Sequence, residues 1–193
     1  MNELVSQKII LRKILTHKRD LIKKNSSIEF NAEVFEELKK YINFEKIQNV
    51  ASFISIRSEI STNHLNNKIM ELKKTLSFPI IKKKSKDLIF KRAKLNNTFK
   101  LGKFNIPEPP NENKEIIPQL FFVPCLGFDL NGYRIGYGGG FYDKTFAKFK
   151  KLNLEFYAVG FAFDDQKQIK IPRESFDYKL DFVLTEKQLY KFS

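Results

Sequence analysis

The amino-acid sequence predicts an α/β fold with a mainly buried sheet. Segments whose apolar residues recur every three or four positions alternate along the chain with short runs of β-branched and aromatic residues, and this alternation is typical of a sheet connected by helices. Hydrophobic residues make up 42% of the 193 residues, with 20 phenylalanines among them. That content supports a large core and excludes global disorder, so we expect a single domain over residues 1–193.

The first third of the chain is predicted to be mostly helical. An amphipathic helix is expected over residues 3–24, because apolar side chains recur there at helical spacing, on Leu4, Leu11, Ile14, Leu15, Leu21 and Ile22. A second helix follows residues 25–27 and has one apolar face, made of Val34, Phe35, Leu38, Tyr41 and Ile42. Residues 50–56 are then rich in strand formers, and Ser61 or Thr62 can cap a helix over residues 63–74, which completes a βα unit.

The rest of the chain supplies the other predicted strands. Strand-like runs recur at residues 76–81, 87–92, 119–123, 156–162 and 181–184, and residues 141–151 have a helical pattern. The segment from Ile106 to Pro110 is predicted to be a connecting loop, because its prolines cannot donate to a sheet ladder and favour extended predecessors. Lys82–Lys84, between two strands, are predicted to form a solvated turn.

The charge balance points to an anionic partner without identifying it. Lysine and arginine total 35 against 22 acidic residues, a formal net charge of +13, which is compatible with nucleic acid, a membrane surface or anionic small molecules. Only six of these cations are arginine, and the chain is also rich in Ile, Asn and Phe, which like Lys have AT-rich codons. Coding bias therefore accounts for much of the excess.

The cysteine count and the N-terminus favour a cytoplasmic protein. Cys125 is the single cysteine, so an intrachain disulfide is impossible and an oxidising compartment is not needed. The first residues lack the uninterrupted apolar core and the cleavage site of a signal peptide. No apolar run approaches the roughly 18 residues of a membrane span, so we expect no membrane partner.

A glycine-rich segment carries the strongest chemical signal. An apolar strand ending near Val123 leads into a loop that holds six of the eight glycines, and a predicted helix follows. Glycines let backbone N–H groups approach an anion, and the N-terminus of the helix adds partial positive charge, so phosphate is the expected guest. A tight turn that merely requires positive φ is the alternative. Arg134 and Asp143 favour phosphate, because they add a guanidinium fork and a carboxylate suited to Mg²⁺.

The order of the motifs resembles that of the 5-formyltetrahydrofolate cyclo-ligase family, also called methenyltetrahydrofolate synthetase. Pro124–Asp143 follow the family pattern P-x-L-x-F-D-x-x-G-x-R-x-G-x-G-x-G-[YF]-Y-D. Four further motifs occur in family order, so the resemblance covers nearly the whole chain: Lys8-x-x-x-Arg12, Phe53–Glu59, Ile106–Pro109 and Asp177-x-x-x-Asp181. The departures are Cys125 where Gly is usual, Phe141 for a common Tyr and Lys144 where Arg is frequent. None of them removes a group that the chemistry requires.

The resemblance implies a three-layer sandwich with a mixed, largely parallel central sheet flanked by helices. It also implies that ATP and Mg²⁺ are used to convert 5-formyltetrahydrofolate to 5,10-methenyltetrahydrofolate, with release of ADP and phosphate. The N5 formamide is a poor electrophile, so its oxygen must be phosphorylated before N10 attacks the carbon. Such a reaction needs positioning and charge neutralisation rather than an activated nucleophile, and we do not expect Cys125 to pair with His17 or His64.

The resemblance also assigns site residues. ATP is expected to contact Lys8, Arg12, Arg134, Ile135, Gly136, Tyr137, Gly138, Gly139, Gly140, Phe141 and Tyr142. Arg134 and Tyr137 are the catalytic candidates. Folate is expected to contact Ile54, Glu59, Tyr137 and Phe141, and Mg²⁺ is expected to contact Asp143 and Asp177. The expected partners are these small molecules, without nucleic acid, and the expected state is a monomer.

Several of these residues have a structural alternative. Lys8 and Arg12 lie four apart on one helical face, and a solvated basic face is their alternative. Core packing is the alternative for Phe141. Glu59 has the alternative role of an acid that stabilises the start of a helix.

Two other aspartates receive lesser roles. Asp181 is a weaker metal candidate, because it leads into the last predicted strand, and Asp129 is predicted to have a structural role in a turn. At the level of the whole protein, the alternatives are another ATP- or sugar-phosphate-binding α/β enzyme and a basic nucleic-acid-binding module.

Overall fold

The computed structural model describes residues 3–27, 29–81, 87–93, 99–102 and 105–192. The α-helices are α1 (Glu3–Asn25), α2 (Ala32–Lys39), α3 (Asn63–Glu71) and α4 (Phe141–Lys151). The strands are β1 (Asn49–Ala51), β2 (Thr75–Ile81), β3 (Leu88–Arg92), β4 (Lys100–Leu101), β5 (Pro107–Glu108), β6 (Glu115–Ile116), β7 (Leu120–Pro124), β8 (Gly127–Asp129), β9 (Arg134–Ile135), β10 (Tyr157–Phe161), β11 (Lys167–Gln168), β12 (Phe182–Leu184) and β13 (Leu189–Lys191). None of the helices described is long and apolar enough to cross a membrane.

The largest sheet of the described residues has eight strands in the order β13-β12-β10-β7-β1-β2-β3-β6. Its five central strands, from β12 to β2, pair in parallel. The strands β13, β3 and β6 add antiparallel pairs at the two edges. The mixed, largely parallel sheet is therefore confirmed. Two smaller sheets have the orders β11-β8-β9 and β4-β5.

Helices cover both faces of the large sheet. Successive side chains of a strand point to opposite faces, and β7 shows the result. Phe122 packs in a cluster with Phe35 of α2 and Leu65 of α3, whereas the neighbouring Phe121 packs with Phe146 of α4, ring centroids 5.2 Å apart. The predicted three-layer sandwich is confirmed.

The order of the strands reverses between β1 and β7, and this reversal creates the site. From β1 the chain passes through α3 to β2, and from β7 it passes through α4 to β10 on the other side of the pair. These two helices lie on opposite faces of the sheet. The segments that leave the carboxyl ends of β1 and β7 therefore diverge, and a crevice at such a point is where open α/β sheets bind ligands.

Helix α1 buries only part of the predicted apolar face, because Leu11, Leu15 and Ile22 pack on the core while other members of the face do not. Leu15 is buried, but Ile14 and Leu21 are 57% and 49% exposed. The other buried positions of α1 are two cations, Lys8 and Arg19. A buried cation is stable only with partners, so the acids and carbonyls across from α1 decide which face of this helix turns inward. In the second helical segment, Tyr41 is exposed as well.

The segment after β1 is held by hydroxyl groups rather than by sheet pairing. Pairing ends at Ala51, so residues 52–56 of the predicted strand lie outside it. Thr62 occupies the N-cap position of α3, but its hydroxyl makes no cap hydrogen bond. Instead it donates to the carbonyl oxygen of Phe53 at 2.8 Å, and it lies 3.1 Å from the Ser55 hydroxyl. These contacts join the segment to the start of α3.

Two further predictions concern the region between β2 and β7. The proline-rich segment is not entirely a connecting loop, because Pro107–Glu108 form β5 and pair with β4. A proline is tolerated there because the two-stranded sheet requires few donors. The predicted turn at Lys82–Lys84 lies outside the described residues.

Candidate active site

The residues that the sequence assigns to ligands line a single cleft at the carboxyl ends of β1 and β7. The cleft has a volume of about 1110 Å³. Its lining includes every residue predicted to contact nucleotide, folate or metal: Lys8, Arg12, Ile54, Glu59, the continuous stretch from Arg134 to Tyr142, Asp143 and Asp177. These residues come from four separate parts of the chain, so the fold brings together what the sequence keeps apart.

The cleft has a charged end and an apolar end. The charged end is lined by the side chains of α1, the glycine-rich loop and the segment 174–178. The apolar end is lined by side chains from the strands β2 and β3 and the segments around them: Phe53, Phe78, Pro79, Ile81, Leu88, Ile106 and Pro107. Such a division suits a substrate pair in which one molecule carries phosphates and the other a ring system.

The glycine-rich loop has the backbone of an anion site. Gly138 has φ +100° and Gly140, the N-cap of α4, has φ +65°, which side-chain-bearing residues rarely adopt. A Cβ on Gly138 would also lie 3.2 Å from the Arg12 Cζ atom. Arg12 itself donates from Nε to the carbonyl oxygen of Gly136 at 2.9 Å. The N-terminus of α4, with its unsatisfied N–H groups, faces the cleft beside this arginine.

Two of the three predicted phosphate-binding cations, Lys8 and Arg134, are each paired with a predicted metal ligand. Lys8 Nζ lies 2.5 Å from Asp177 Oδ2 and 2.9 Å from Glu174 Oε2. Arg134 Nη1 lies 3.1 Å from Asp143 Oδ1, which also accepts from the backbone N–H of Tyr178. The alternative of a solvated basic face is wrong for Lys8, which is 6% exposed.

The carboxylates of the cleft fit a magnesium ion bound together with a nucleotide. Within the described residues, no group of three His, Cys, Asp or Glu side chains could hold a metal on its own. Mg²⁺ keeps several waters and uses one or two carboxylates plus substrate phosphates, so it does not need such a group. Asp143 and Asp177 both line the charged end of the cleft, and their hard oxygen atoms suit this ion.

Glu59 is a buried acid at the junction of the two ends. It is 5% exposed, and its Oε2 accepts from the backbone N–H of Ile56 at 3.0 Å. That bond ties the carboxylate to the segment after β1. Burial raises the pKa of Glu59 to about 7. The hydrogen bond from Ile56 and the charge of Arg19 oppose this shift.

Arg19 was not predicted as a site residue, yet it contacts two residues that were. It is fully buried. Its Nη1 lies 3.8 Å from Glu59 Oε1, and its Nη2 donates to the Tyr137 hydroxyl. Arg57, at the end of the same segment as Glu59, lies over the other side of the Tyr137 ring, 5.5 Å from its centroid. The signal for this cluster was the spacing of Lys8, Arg12 and Arg19 on one face of α1 in a chain with few arginines.

With the geometry described, the similarity to known proteins decides the family. The family model of the 5-formyltetrahydrofolate cyclo-ligase family matches residues 5–186. The chain belongs to this family. The sequence-based identification, the fold class and the assignment as a ligase are therefore confirmed, and the family membership supports neither a nucleic-acid-binding module nor an unrelated sugar-phosphate enzyme.

Individual relatives of the cyclo-ligase family agree. A 5-formyltetrahydrofolate cyclo-ligase of Haemophilus influenzae is 32% identical over 142 residues, which are 71% of this chain and 75% of that protein. A 5-formyltetrahydrofolate cyclo-ligase of Mycoplasma genitalium is 29% identical over 90% of this chain and 94% of its own. The solved 5,10-methenyltetrahydrofolate synthetase of Aquifex aeolicus has a TM-score of 0.71 at 28% identity, and the alignment covers 96% of this chain and 92% of that one.

The remaining candidate residues of this cyclo-ligase family member differ in whether they line the cleft or stabilise the fold. Phe141 lines the cleft but also packs on the aromatic cluster around Phe146, so it contributes to the core while its contact with a ligand stays a prediction. Asp129 has the structural role predicted, because its carboxylate accepts from the backbone N–H groups of Asn131, Tyr133 and Ile171. Asp181 accepts from Ala158 N at 2.7 Å at the start of β12 and does not line the cleft.

A cysteine nucleophile is absent from the cyclo-ligase cleft, as expected. Cys125 is buried, and burial raises the pKa of its thiol to about 12. Both histidines are exposed. A buried thiol with a raised pKa is a poor nucleophile at neutral pH.

Proposed function

We propose that this chain catalyses the ATP-dependent closure of 5-formyltetrahydrofolate to 5,10-methenyltetrahydrofolate, with release of ADP and phosphate. The observation that carries the proposal is the single cleft in which a phosphate-binding loop and a buried carboxylate lie on adjacent strand ends. The reaction requires the γ-phosphate of ATP to meet the formyl oxygen of the folate, and a shared cleft with one charged and one apolar end allows this meeting.

The charged end is the proposed ATP site. Lys8, Arg12 and Arg134 supply positive charge, and the backbone from Gly136 to Tyr142 supplies N–H donors at the start of α4. Phe176 is exposed at this end, with the Lys8 Nζ atom 5.8 Å from its ring centroid. An exposed aromatic ring beside a phosphate site is suited to stacking on a nucleobase, so we assign Phe176 to the adenine.

The apolar end is the proposed folate site. Ile54 and Phe141 contribute apolar surface, and Glu59 offers a carboxylate to the amino and ring N–H donors of the pterin. The raised pKa of Glu59 makes this interaction depend on pH around neutrality, because only the ionised carboxylate accepts from two donors.

The chemical step joins the two sites. The formyl oxygen attacks the γ-phosphorus, and the bond between that phosphorus and the ADP oxygen breaks. N10 then forms a bond to the activated carbon and loses its proton, and the carbon–oxygen bond breaks as phosphate leaves. Arg134 is the proposed donor to the transferring phosphoryl oxygens. Tyr137, whose pKa is raised chiefly by burial, keeps its proton and is proposed to donate, with Arg134, to the transferring phosphoryl oxygens.

Mg²⁺ is the proposed cofactor, and Asp143 and Asp177 are the proposed ligands. When bound, the ion screens the charge of the ATP phosphates. Lys8 and Arg134 would then be free of their carboxylate partners and able to contact phosphate oxygens. Asp143 would keep its bond from the Tyr178 backbone N–H, which orients the carboxylate toward the cleft.

We further propose a cytoplasmic monomer whose partners are these small molecules. A buried free thiol at Cys125 is stable in a reducing compartment. The reaction also needs ATP and reduced folate, both of which are metabolites of the cell interior.

A direct assay tests the proposed function. Purified protein is mixed with ATP, Mg²⁺ and 5-formyltetrahydrofolate, and the absorbance of methenyltetrahydrofolate and the release of ADP are followed together. We expect equal amounts of both products and none when ATP is omitted. ADP release without methenyltetrahydrofolate would instead support another ATP-dependent enzyme. A nucleic-acid-binding module predicts tight duplex binding with a steep salt dependence, which a titration at physiological salt would detect.

A further inference from the structure

Arg19 is a fully buried arginine of α1 that contacts four residues around the site. Its Nε donates to the Ser58 hydroxyl at 3.2 Å, and its Nη1 donates to the carbonyl oxygen of Cys125 at 3.4 Å. Nη2 donates to the Tyr137 hydroxyl, and Nη1 also lies 3.8 Å from Glu59 Oε1. A single planar guanidinium on α1 thus contacts partners from the segment after β1 and from the loop after β7.

These partners belong to the two proposed substrate sites. Glu59 belongs to the proposed folate site, and Ser58 precedes it in the chain. Tyr137 belongs to the glycine-rich loop of the proposed ATP site, and Arg12, seven residues earlier on α1, holds the same loop through Gly136. A displacement of Glu59 by a bound folate therefore changes the position of Arg19, and through it the position of Tyr137. Bonded chains of this kind carry energetic coupling between sites.

We infer that Arg19 is a positioning residue that couples folate binding to ATP binding by holding Glu59 and Tyr137 with one side chain. The inference rests on the proposed function, because it takes the two ends of the cleft as the two substrate sites. It adds to that function a residue that contacts neither substrate but sets the affinity of each for the other.

The geometry explains why arginine is needed at this position. Its five N–H donors lie in one plane and point in different directions, so it can bond to the hydroxyls of Ser58 and Tyr137 and to a carbonyl oxygen at once. A lysine ammonium at the end of a flexible stem cannot reach all of these partners together. A methionine has nearly the same length and no donor at all, so Arg19→Met removes the bonds while it largely fills the volume.

Arg19→Met is expected to fold. Removal of one partner of a buried ion pair is usually costly because the other charge is left alone. Here the remaining partner can neutralise itself, because burial already raises the pKa of Glu59 to about 7. Lys18→Met is the matched control, since it removes a charge from the neighbouring, exposed position of the same helix.

The test measures the coupling itself. Calorimetric titrations give the affinity for a non-hydrolysable ATP analogue with Mg²⁺, with and without saturating 5-formyltetrahydrofolate. For the wild-type chain and for Lys18→Met we expect folate to tighten analogue binding by about 5-fold or more. For Arg19→Met we expect this factor to fall to about one, whereas each ligand still binds alone. A wild-type coupling factor in Arg19→Met overturns the inference.

Tyr137→Phe provides the second variant, because it deletes the hydroxyl that Arg19 contacts and leaves the arginine in place. We expect it to lose coupling as well, and the double variant to lose no more than either single variant. Additive losses would overturn the inference, because they would mean that the two residues act separately. A wild-type protein that binds both ligands without coupling would also overturn it. A wild-type protein that binds neither ligand would count against the proposed function itself.

Discussion

Lys8 Nζ lies 2.5 Å from Asp177 Oδ2, so a cation assigned to ATP is held by a carboxylate assigned to Mg²⁺. Arg134 and Asp143, which flank the glycine-rich loop in the chain, repeat this arrangement at 3.1 Å. In the absence of ligand, each cation neutralises the charge of its own carboxylate partner. In the proposed complex the partners change: both cations turn to phosphate oxygens, and both carboxylates turn to the metal. ATP and Mg²⁺ are therefore expected to bind cooperatively.

Asp177→Asn tests this exchange. The amide is a poor magnesium ligand and holds Lys8 less tightly, so we expect the Mg²⁺ concentration for half-maximal activity to rise about 10- to 100-fold. Metal-free ATP should bind at least as well as it does to the wild type, because Lys8 is released. Activity is measured against Mg²⁺, and ATP binding is measured calorimetrically in a chelator.

Glu174→Gln is the matched control for that experiment. It removes the other carboxylate that holds Lys8 at 2.9 Å but leaves Asp177 in place. We expect the magnesium requirement to stay close to that of the wild type. An equal rise in both variants would contradict the assignment of Asp177 to the metal.

Arg134→Ala and Glu59→Gln should separate the two substrates. Loss of the Arg134 guanidinium is expected to lower kcat/KM for ATP about 10²- to 10³-fold, because a donor to the transferring phosphoryl group is gone. Loss of the Glu59 charge is expected to raise the KM for folate about 10- to 100-fold. Steady-state kinetics with each substrate varied in turn give both values. Arg173→Ala, which removes an exposed arginine outside the cleft, should change neither, and unaltered kinetics in both test variants would show that the roles are misassigned.

Glu59 also makes stability depend on pH. Burial raises its pKa from 4.5 to about 7. Between these values the unfolded chain has released the proton and the folded protein retains it, so the free energy of unfolding falls as the pH rises through this window. The shift corresponds to about 3 kcal/mol. The free energy of unfolding of Glu59→Gln, minus that of the wild type, should therefore increase by about this amount between pH 4.5 and pH 8. Urea unfolding at each pH measures this difference. A constant difference across the range would show that Glu59 ionises normally.

Phe176→Ala tests the base-stacking assignment. The ring is 64% exposed at the charged end of the cleft, and loss of stacking on one base should raise the KM for ATP about 5- to 100-fold. Inorganic tripolyphosphate has no base, so its inhibition constant should not change. Ile169→Ala removes a side chain that is 99% exposed and lies outside the cleft lining, and it serves as the control. Equal weakening of ATP and tripolyphosphate would contradict stacking.

The sequence predicted the core elements because their signals are local. The strand β7 and the helix α4 appear within a residue or two of their predicted bounds, since an apolar run and a helical pattern are properties of neighbouring residues. The short strands β4, β5, β6, β8, β9, β11 and β13 were not predicted. Two- and three-residue strands form only where tertiary contacts bring their partners together. No pattern in the local sequence predicts them.

The parts of the site that are defined by sequence motifs could be predicted. The parts that depend on which side chains are buried could not. The glycine-rich loop could be located from its composition alone. Arg19 was missed although it shares a helical face with Lys8 and Arg12, because a cation on a helix is usually solvated. Only the surrounding structure shows Ser58, Tyr137 and Glu59 arranged around it. The same contacts explain why α1 turns Lys8 and Arg19 inward and leaves Ile14 in solvent.

The reactivity of the Cys125 thiol can report how often the protein opens locally around it. It is the one thiol in 193 residues, it lies directly after β7, and its carbonyl oxygen is bound by Arg19 and Gln166. Because the thiol lies in the core and burial raises its pKa, an aromatic disulfide reagent should label the folded chain only when the core next to the cleft opens. The labelling rate then measures how often the site comes apart, and ligands that close the cleft should slow it without any engineered dye.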